Sequence, residues 1–218
     1  MFLDEFAETP DEKKPNFRIH GIGYNQMLYD FGLDHTSLNN KTLVQEKINE
    51  IEKDFDLVMI AEYFYESLII LKHELCWSLE DVTSFQLNSR IKSDENKMKK
   101  RTRKLLTQYL KHDYLLYHHF KKMFIRKLSV FGYTKLEKEV EQLNELDNNI
   151  YINCSLEAQP NGFLKGDQKW YGPGFLLGYK VNSQEEDCIS MTMSGLKLIE
   201  RVRSKQTVAA QKVLQQRL

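Results

Sequence analysis

Along most of the chain apolar residues recur every three or four positions, and in one stretch they run together. Asn25 to Phe31 is short and amphipathic and reads as a helix ending at Gly32. Thr42 to Lys53 carries Val44, Ile48 and Ile51 at helical spacing. Phe55 to Ala61 is a compact apolar run of the kind a buried strand shows. Glu62 to Leu75 then returns to helical period through Phe64, Leu68, Leu71 and Leu75. A short apolar run followed by a helical stripe predicts a strand and a helix, one half of a βαβ unit.

The longest helical pattern covers Leu105 to Phe131, with Leu106, Leu110, Tyr117, Phe120, Phe124, Leu128 and Phe131 in one stripe and Gly132 as its stop. Thr134-Lys-Leu-Glu137 has capping-box form and opens a helix carrying Leu136, Val140, Leu143 and Leu146. Tyr151 to Cys154 reads as a short strand. A glycine-rich loop with Trp170 and Tyr171 follows, between Gly162 and Gly178, and a last helix is expected over about Met193 to Val202. Residues 1–17, polar and broken by Pro10 and Pro15, read as an irregular lead-in, 18–204 as the folded part, and 205–218 as a frayed tail. A lone strand beside a helix cannot cover its own edges, so the pattern points to part of a larger α/β domain rather than a bundle.

Composition narrows the class without reaching the chemistry. Among 218 residues, Lys plus Arg and Asp plus Glu both number 31, so the net charge is zero and bulk neutralisation of nucleic acid is not expected. Three cysteines do not make a disulfide scaffold, no apolar run is long enough for a membrane span, and the acidic start is no signal peptide. The Lys97 to Lys104 run holds six basic residues in eight, a pattern for phosphate or sulfate contact, for a nuclear signal, or for a solvated helix turn.

No phosphate-binding glycine loop, dinucleotide fingerprint, zinc-protease motif or serine elbow is present. The cysteines and histidines have no zinc spacing, and His118 and His119 point about 100° apart on a helix, so no metal is expected. Glu62 stands where the predicted strand gives way to a helix, the edge at which open α/β sheets bind ligands, and Glu66 is one turn further on. Both acids also suit an ordinary helix start. Asn40-Lys-Thr42 and Asn153-Cys-Ser155 fit the glycosylation pattern, making Asn40 and Asn153 candidates if the protein is lumenal.

The run from Phe55 to Arg90, FDLVMIAEYFYESLIILKHELCWSLEDVTSFQLNSR, resembles the galactose-3-O-sulfotransferase family. That family shows a strand of FDLVL form, an EYFDESLVLLK helix, an LCW, an acidic pair and a KLNAR-like segment. The counterparts here are Phe55 to Val58, Glu62 to Lys72, Leu75-Cys76-Trp77, Glu80-Asp81 and Gln86 to Arg90. Tyr65 replaces the usual Asp, which leaves Glu66 as the only acid after Glu62 in that helix. Asn25 to Asp34, Tyr114 to Phe131 and Leu177-Gly178-Tyr179 resemble further family segments, so the likeness covers about residues 20–200.

The resemblance implies an α/β fold: the C-terminal, helix-rich half of a PAPS-sulfotransferase domain with a P-loop-like parallel sheet. It implies transfer of a sulfuryl group from 3′-phosphoadenylyl sulfate (PAPS) to the 3-hydroxyl of a terminal galactose, on glycolipids of the galactosylceramide kind or on glycans. The family works in the Golgi lumen on a membrane anchor. Its phosphosulfate loop, its 3′-phosphate segment and its anchor all lie upstream of the matched region, and none occurs in these 218 residues. The chain is therefore expected to be a fragment or a truncated paralogue, with its catalytic groups elsewhere. Acceptor contacts implied by the likeness are Glu62, Glu66, Trp77, Tyr114 and His118; a loop carrying Lys165, Lys169, Tyr179 and Lys180 is the candidate for closing on PAPS. A lumenal protein would allow one bridge among Cys76, Cys154 and Cys188, with Cys76 expected as a buried thiol. Two other readings stay open, a catalytically dead galactoside-binding paralogue and a helical interaction module.

Overall fold

A computed structural model describes residues 2–10, 23–87, 89, 98–169 and 174–215. The chain divides into two compact units, Met1–Cys76 with Asn96–Val140, and Trp77–Glu95 with Glu141–Leu218. Among the described residues the structure is mixed α/β and helix-rich, with one two-stranded sheet.

The first unit contains α1 (Phe2–Glu8), α2 (Gln26–Asp30), α3 (Lys41–Asp54), α4 (Phe64–Glu74), α5 (Lys100–Tyr109), α6 (Lys111–Phe131) and the start of α7 (Tyr133–Asn153). Leu116, Phe120, Phe124 and Leu128, each four apart, form the buried stripe of α6. That helix packs on α2 and α3, whose Leu28, Val44, Ile48 and Ile51 are buried. Burying each such side chain is worth about 1.5–3 kcal/mol. Asn40 caps α3 through its Oδ1, which accepts from the N–H groups of Thr42 and Leu43. At the far end of α4, Glu139 lies 2.7 Å from Lys72 Nζ and 2.8 Å from His73 Nε2. Burial pushes its carboxyl up, and those two bonds more than offset that and hold it below the ordinary range.

The segments 25–28 and 112–113 cap each other. Asn25 Oδ1 accepts from the backbone N–H groups of His112 and Asp113 at 2.9 and 3.0 Å, filling the open N-terminus of α6. Asp113 in return accepts from the N–H groups of Met27 and Leu28, both at 3.1 Å, filling that of α2. Asn25 is fully buried at φ 47°, a left-handed conformation that Asn tolerates better than most residues.

Several expectations need correction. The lead-in holds α1, whose Asp4 and Glu8 pair with Lys99 and Arg101 of the basic run and whose Asp4 also accepts from Thr102. These bonds, that from Thr102 first, hold the Asp4 carboxyl down to about 2. The run is thus partly consumed inside the protein; Lys97 lies outside the described residues. The long helical pattern is two helices, broken at Leu110 (φ −99°, ψ 29°). Phe55 to Ile60 is extended at both ends yet joins no ladder among the described residues, since a strand exists only beside a partner. Its Ile60 N–H donates instead to Ser67 Oγ of α4.

In the second unit, Tyr151 to Asn153 is not a strand but the last turn of α7. The chain reverses at Ser155 (φ 48°) into β1 (Leu156–Pro160), which pairs antiparallel with β2 (Leu177–Val181), Leu156 opposite Val181. Between them Gly162 N–H donates to Gly174 O at 2.9 Å, and a Cβ on Gly162 would stand 3.4 Å from the Gly174 backbone. Trp170 and Tyr171 lie outside the described residues. Cys154 is bonded to Cys188 of α8 (Glu186–Thr192). Cys76 is exposed, not buried, because its helix ends before it and the backbone turns to φ 54° there. The last helix, α9 (Gly195–Gln215), continues well past Lys205 where fraying was expected. Among the described residues no helix is long and apolar enough to cross a membrane.

Asn25→Ala should cost about 3 kcal/mol in urea unfolding, because it opens the α6 cap and places a β-carbon-bearing residue without Asn's local bonding at positive φ. Asn25→Gly should cost less, since it relieves the second effect only; equal losses would refute the backbone part of the account. The bridge closes a separation of 34 residues, so its reduction should destabilise the second unit by about 3–4 kcal/mol on chain-entropy grounds. Thermal melts with and without reductant test this, and an unchanged melt would sink it.

Candidate functional site

Four elements of the first unit converge around Glu62. The residue sits in a 3-10 turn (Ala61–Tyr63) between the extended run and α4. The i, i+3, i+7 spacing of α6 brings Tyr114, Tyr117 and Lys121 onto neighbouring positions of one face. Tyr117 donates its hydroxyl hydrogen to Glu62 Oε1. Lys121 Nζ donates to the Tyr117 hydroxyl oxygen at 2.9 Å and lies 3.6 Å from Glu62 Oε1. The ammonium also stands 5.3 Å from the centres of both the Tyr63 and Tyr117 rings.

This arrangement sets the charges. The Tyr117 hydrogen bond, with Lys121 behind it, holds the Glu62 carboxyl below the usual Glu range. The bond that Lys121 itself donates to the Tyr117 hydroxyl oxygen raises the lysine. Glu62 is therefore an anion at neutral pH, well suited to accept hydrogen bonds from hydroxyl groups and poorly suited to remove a proton.

Glu62 borders two adjoining hollows. One, of about 410 Å³, is an open mouth lined by Met27, Glu62, Leu110, Asp113, Tyr114 and Tyr117. The other, of about 210 Å³, is walled by apolar side chains that include Phe31, Ile51, Val58, Ile60, Leu116 and Phe120. Met27, Glu62 and Tyr117 belong to both. Asp113 is buried as well as capping, and burial pushes its carboxyl up against the pull of the Leu28 and Met27 N–H groups.

Of the expected acceptor residues, the structure brings Glu62 and Tyr114 to the mouth. His118 is exposed beside them, its ring 6.0 Å from Tyr114 and 5.2 Å from Tyr117. Glu66, on the first turn of α4, is half-buried and lines neither hollow. Trp77 belongs to the second unit and is exposed. Sequence reasoning missed Tyr117 as a site residue, although its spacing from Tyr114 offered a signal; Asp113 and Met27 offered none.

The four residues expected at PAPS all lie in the second unit. Tyr179 is buried there against the disulfide, its ring 5.7 Å from Phe85 and 5.8 Å from Tyr151. Lys180, next along β2, faces the other way and pairs with Glu157 at 3.4 Å. Lys165 and Lys169 are exposed. Adjacent residues of a strand point to opposite faces, so Tyr179 and Lys180 stand on different sides of β2. Among the described residues no group of three or more His, Cys, Asp or Glu is placed to hold a metal ion.

The family model for galactose-3-O-sulfotransferase matches residues 2–165. Human (Homo sapiens) galactosylceramide sulfotransferase is 37% identical over 154 residues, covering 70% of this chain and 36% of that protein. The Mus musculus galactosylceramide sulfotransferase is 34% identical over 187 residues, covering 82% and 44%. Galactose-3-O-sulfotransferase 2 of Mus musculus is 31% identical over 188 residues, covering 82% and 48%. The chain thus spans between about a third and a half of these relatives. No solved structure matches significantly.

Replacing Tyr117 by Phe removes the donor that holds Glu62 low, so the Glu62 titration midpoint should rise toward the ordinary Glu value. Carbon-13 NMR of the side-chain carboxyl measures this directly. An unmoved midpoint would show that Tyr117 does not control the charge.

Proposed function

Because the chain belongs to the galactose-3-O-sulfotransferase family, we propose that it supplies the acceptor side of an enzyme transferring the sulfuryl group of PAPS to the 3-hydroxyl of a terminal β-galactose. The observation that carries the acceptor role is the mouth itself: an anionic Glu62 beside two tyrosine rings. Galactose presents hydroxyl donors on its edge and C–H groups on one face. Glu62 accepts from the hydroxyls, and Tyr114 and Tyr117 pack against the carbon face. Holding the sugar in one orientation converts an encounter into a positioned attack, which is the larger part of what such a site contributes. Attack of the 3-oxygen on sulfur forms the new O–S bond and breaks the bond to the phosphate oxygen; the nucleotide leaves as the 3′,5′-bisphosphate and the hydroxyl proton is lost to solvent. The fold of the whole domain in this reading is the sulfotransferase one, a parallel sheet with a phosphate-binding first loop, with Phe55 to Ile60 as one of its strands.

The same reading places the protein on the lumenal side of the Golgi membrane. The Cys154–Cys188 bridge supports an oxidising compartment. Asn40 and Asn153 are both exposed and are the glycan acceptors in this reading.

The test is PAPS-dependent sulfate transfer to lactosylceramide and N-acetyllactosamine, using this chain alone and joined to the N-terminal portion of a curated relative. Transfer by the joined form is the expected result, and in it Glu62→Ala should lower kcat/KM by roughly tenfold to a hundredfold. A loss within threefold would remove Glu62 from the site. Galactoside binding without transfer in both forms would replace the enzyme reading with a binding protein.

A further inference from the structure

The last helix turns a charged edge to the protein and an apolar stripe to solvent. Arg201 of α9 donates to Ser190 Oγ of α8 at 3.2 Å, and Glu186 of α8 lies 3.0 Å from Arg201 and 2.6 Å from Lys205. At about 100° per residue, Leu198, Ile199, Val202, Ala209 and Ala210 fall within a stripe about 120° wide beside that edge, with Gln206 its one polar position. A stripe of this kind is ordinarily what a helix buries. Here Leu198, Ile199 and Val202 are 40%, 49% and 46% exposed, and both alanines are exposed as well.

Charge identifies what covers the stripe. The chain as a whole is neutral, yet residues 195–218 carry Lys197, Arg201, Arg203, Lys205, Lys212 and Arg217 against a single acid, Glu200. Arg203 and Lys205 fall on the two borders of the stripe and Glu200 on the far side of the helix. Glu186 is shared by two cations, so it does not cancel their charge. A second copy laid along the stripe would bring further cations to those borders and no acid. The stripe also holds no aromatic residue of the kind that anchors protein interfaces. Aliphatic side chains edged by long basic ones suit a bilayer: the first enter the acyl boundary, and the second reach lipid phosphates on their apolar stems. We propose that α9 lies in the plane of an anionic lipid surface and gives this chain a membrane contact of its own. The proposal does not depend on the galactose reading, and α9 stands beyond residues 2–165 that the family model matches.

The experiment is co-sedimentation of the full chain with phosphatidylcholine vesicles, pure or with about one third phosphatidylserine. At about fivefold for each cation near the surface, the anionic vesicles should bind at least roughly tenfold more tightly, and added salt should weaken them. Ile199→Gln with Val202→Gln should lower anionic binding by about tenfold, and Arg203→Gln with Lys205→Gln by about as much. The four positions are exposed, so these changes leave the core alone, and the comparison of vesicles on the unaltered protein stands whether or not a variant folds. Equal binding to both vesicles, or to neither, would overturn the proposal. So would anionic binding that either pair of substitutions leaves unchanged, because the contact would then lie elsewhere. Polyglutamate bound as tightly as the anionic vesicles would assign the stripe to an acidic protein instead. A dimer that Ile199→Gln with Val202→Gln abolishes, without vesicle binding, would assign it to a second copy. The vesicles hold no galactoside, so none of these results bears on sulfate transfer.

Discussion

The first unit depends on the mutual capping of Asn25 and Asp113. Every helix opens with N–H groups that its own turns cannot satisfy, and a helix as short as Gln26–Asp30 has no stability of its own. Here each of two helix starts is completed by a side chain from the other, so each supports the other. The exchange clamps Met27 beside Tyr114 and Tyr117, which is how a weak five-residue helix becomes one wall of the site. It also sets two demands on one carboxylate. Burial favours the protonated acid, while the N–H groups of Leu28 and Met27 favour the anion, and burial prevails.

In the second unit a disulfide stands at the middle of a small apolar cluster. Two strands of five residues each bury little. The Cys154–Cys188 bond, with Tyr179, Phe85 and Tyr151 packed about it, supplies the centre that the sheet lacks. Tyr179 packs there as part of that centre.

Periodicity carried most of the helices of the first unit. Val44, Ile48 and Ile51, and Phe120, Phe124 and Leu128, are buried as their spacing requires. It failed where spacing does not determine the outcome. Leu116 rather than Tyr117 fills the core at that turn of α6, which frees Tyr117 to face Glu62. The Phe55 run has strand composition and extended backbone, but pairing is a relation between segments and not a property of one. The Asn25–Asp113 exchange spans 85 to 88 residues, beyond any local pattern. Tyr151 to Asn153 is β-prone in composition yet stays helical as the end of a long helix. Of the candidate acceptor residues, Glu62 drew notice from its place after the apolar run, where spacing gave it no preference over an ordinary helix-start acid, and Tyr114 only through the family likeness.

The pairing of Cys154 with Cys188 leaves Cys76 as the one free thiol of the chain, exposed at the residue where the first unit hands over to the second. Under non-reducing conditions a maleimide dye or spin label will therefore attach at a single defined position without any engineered cysteine. The native sequence comes equipped with its own spectroscopic handle at the junction of its two units, a vantage point from which ligand-linked motion in either can be followed in solution.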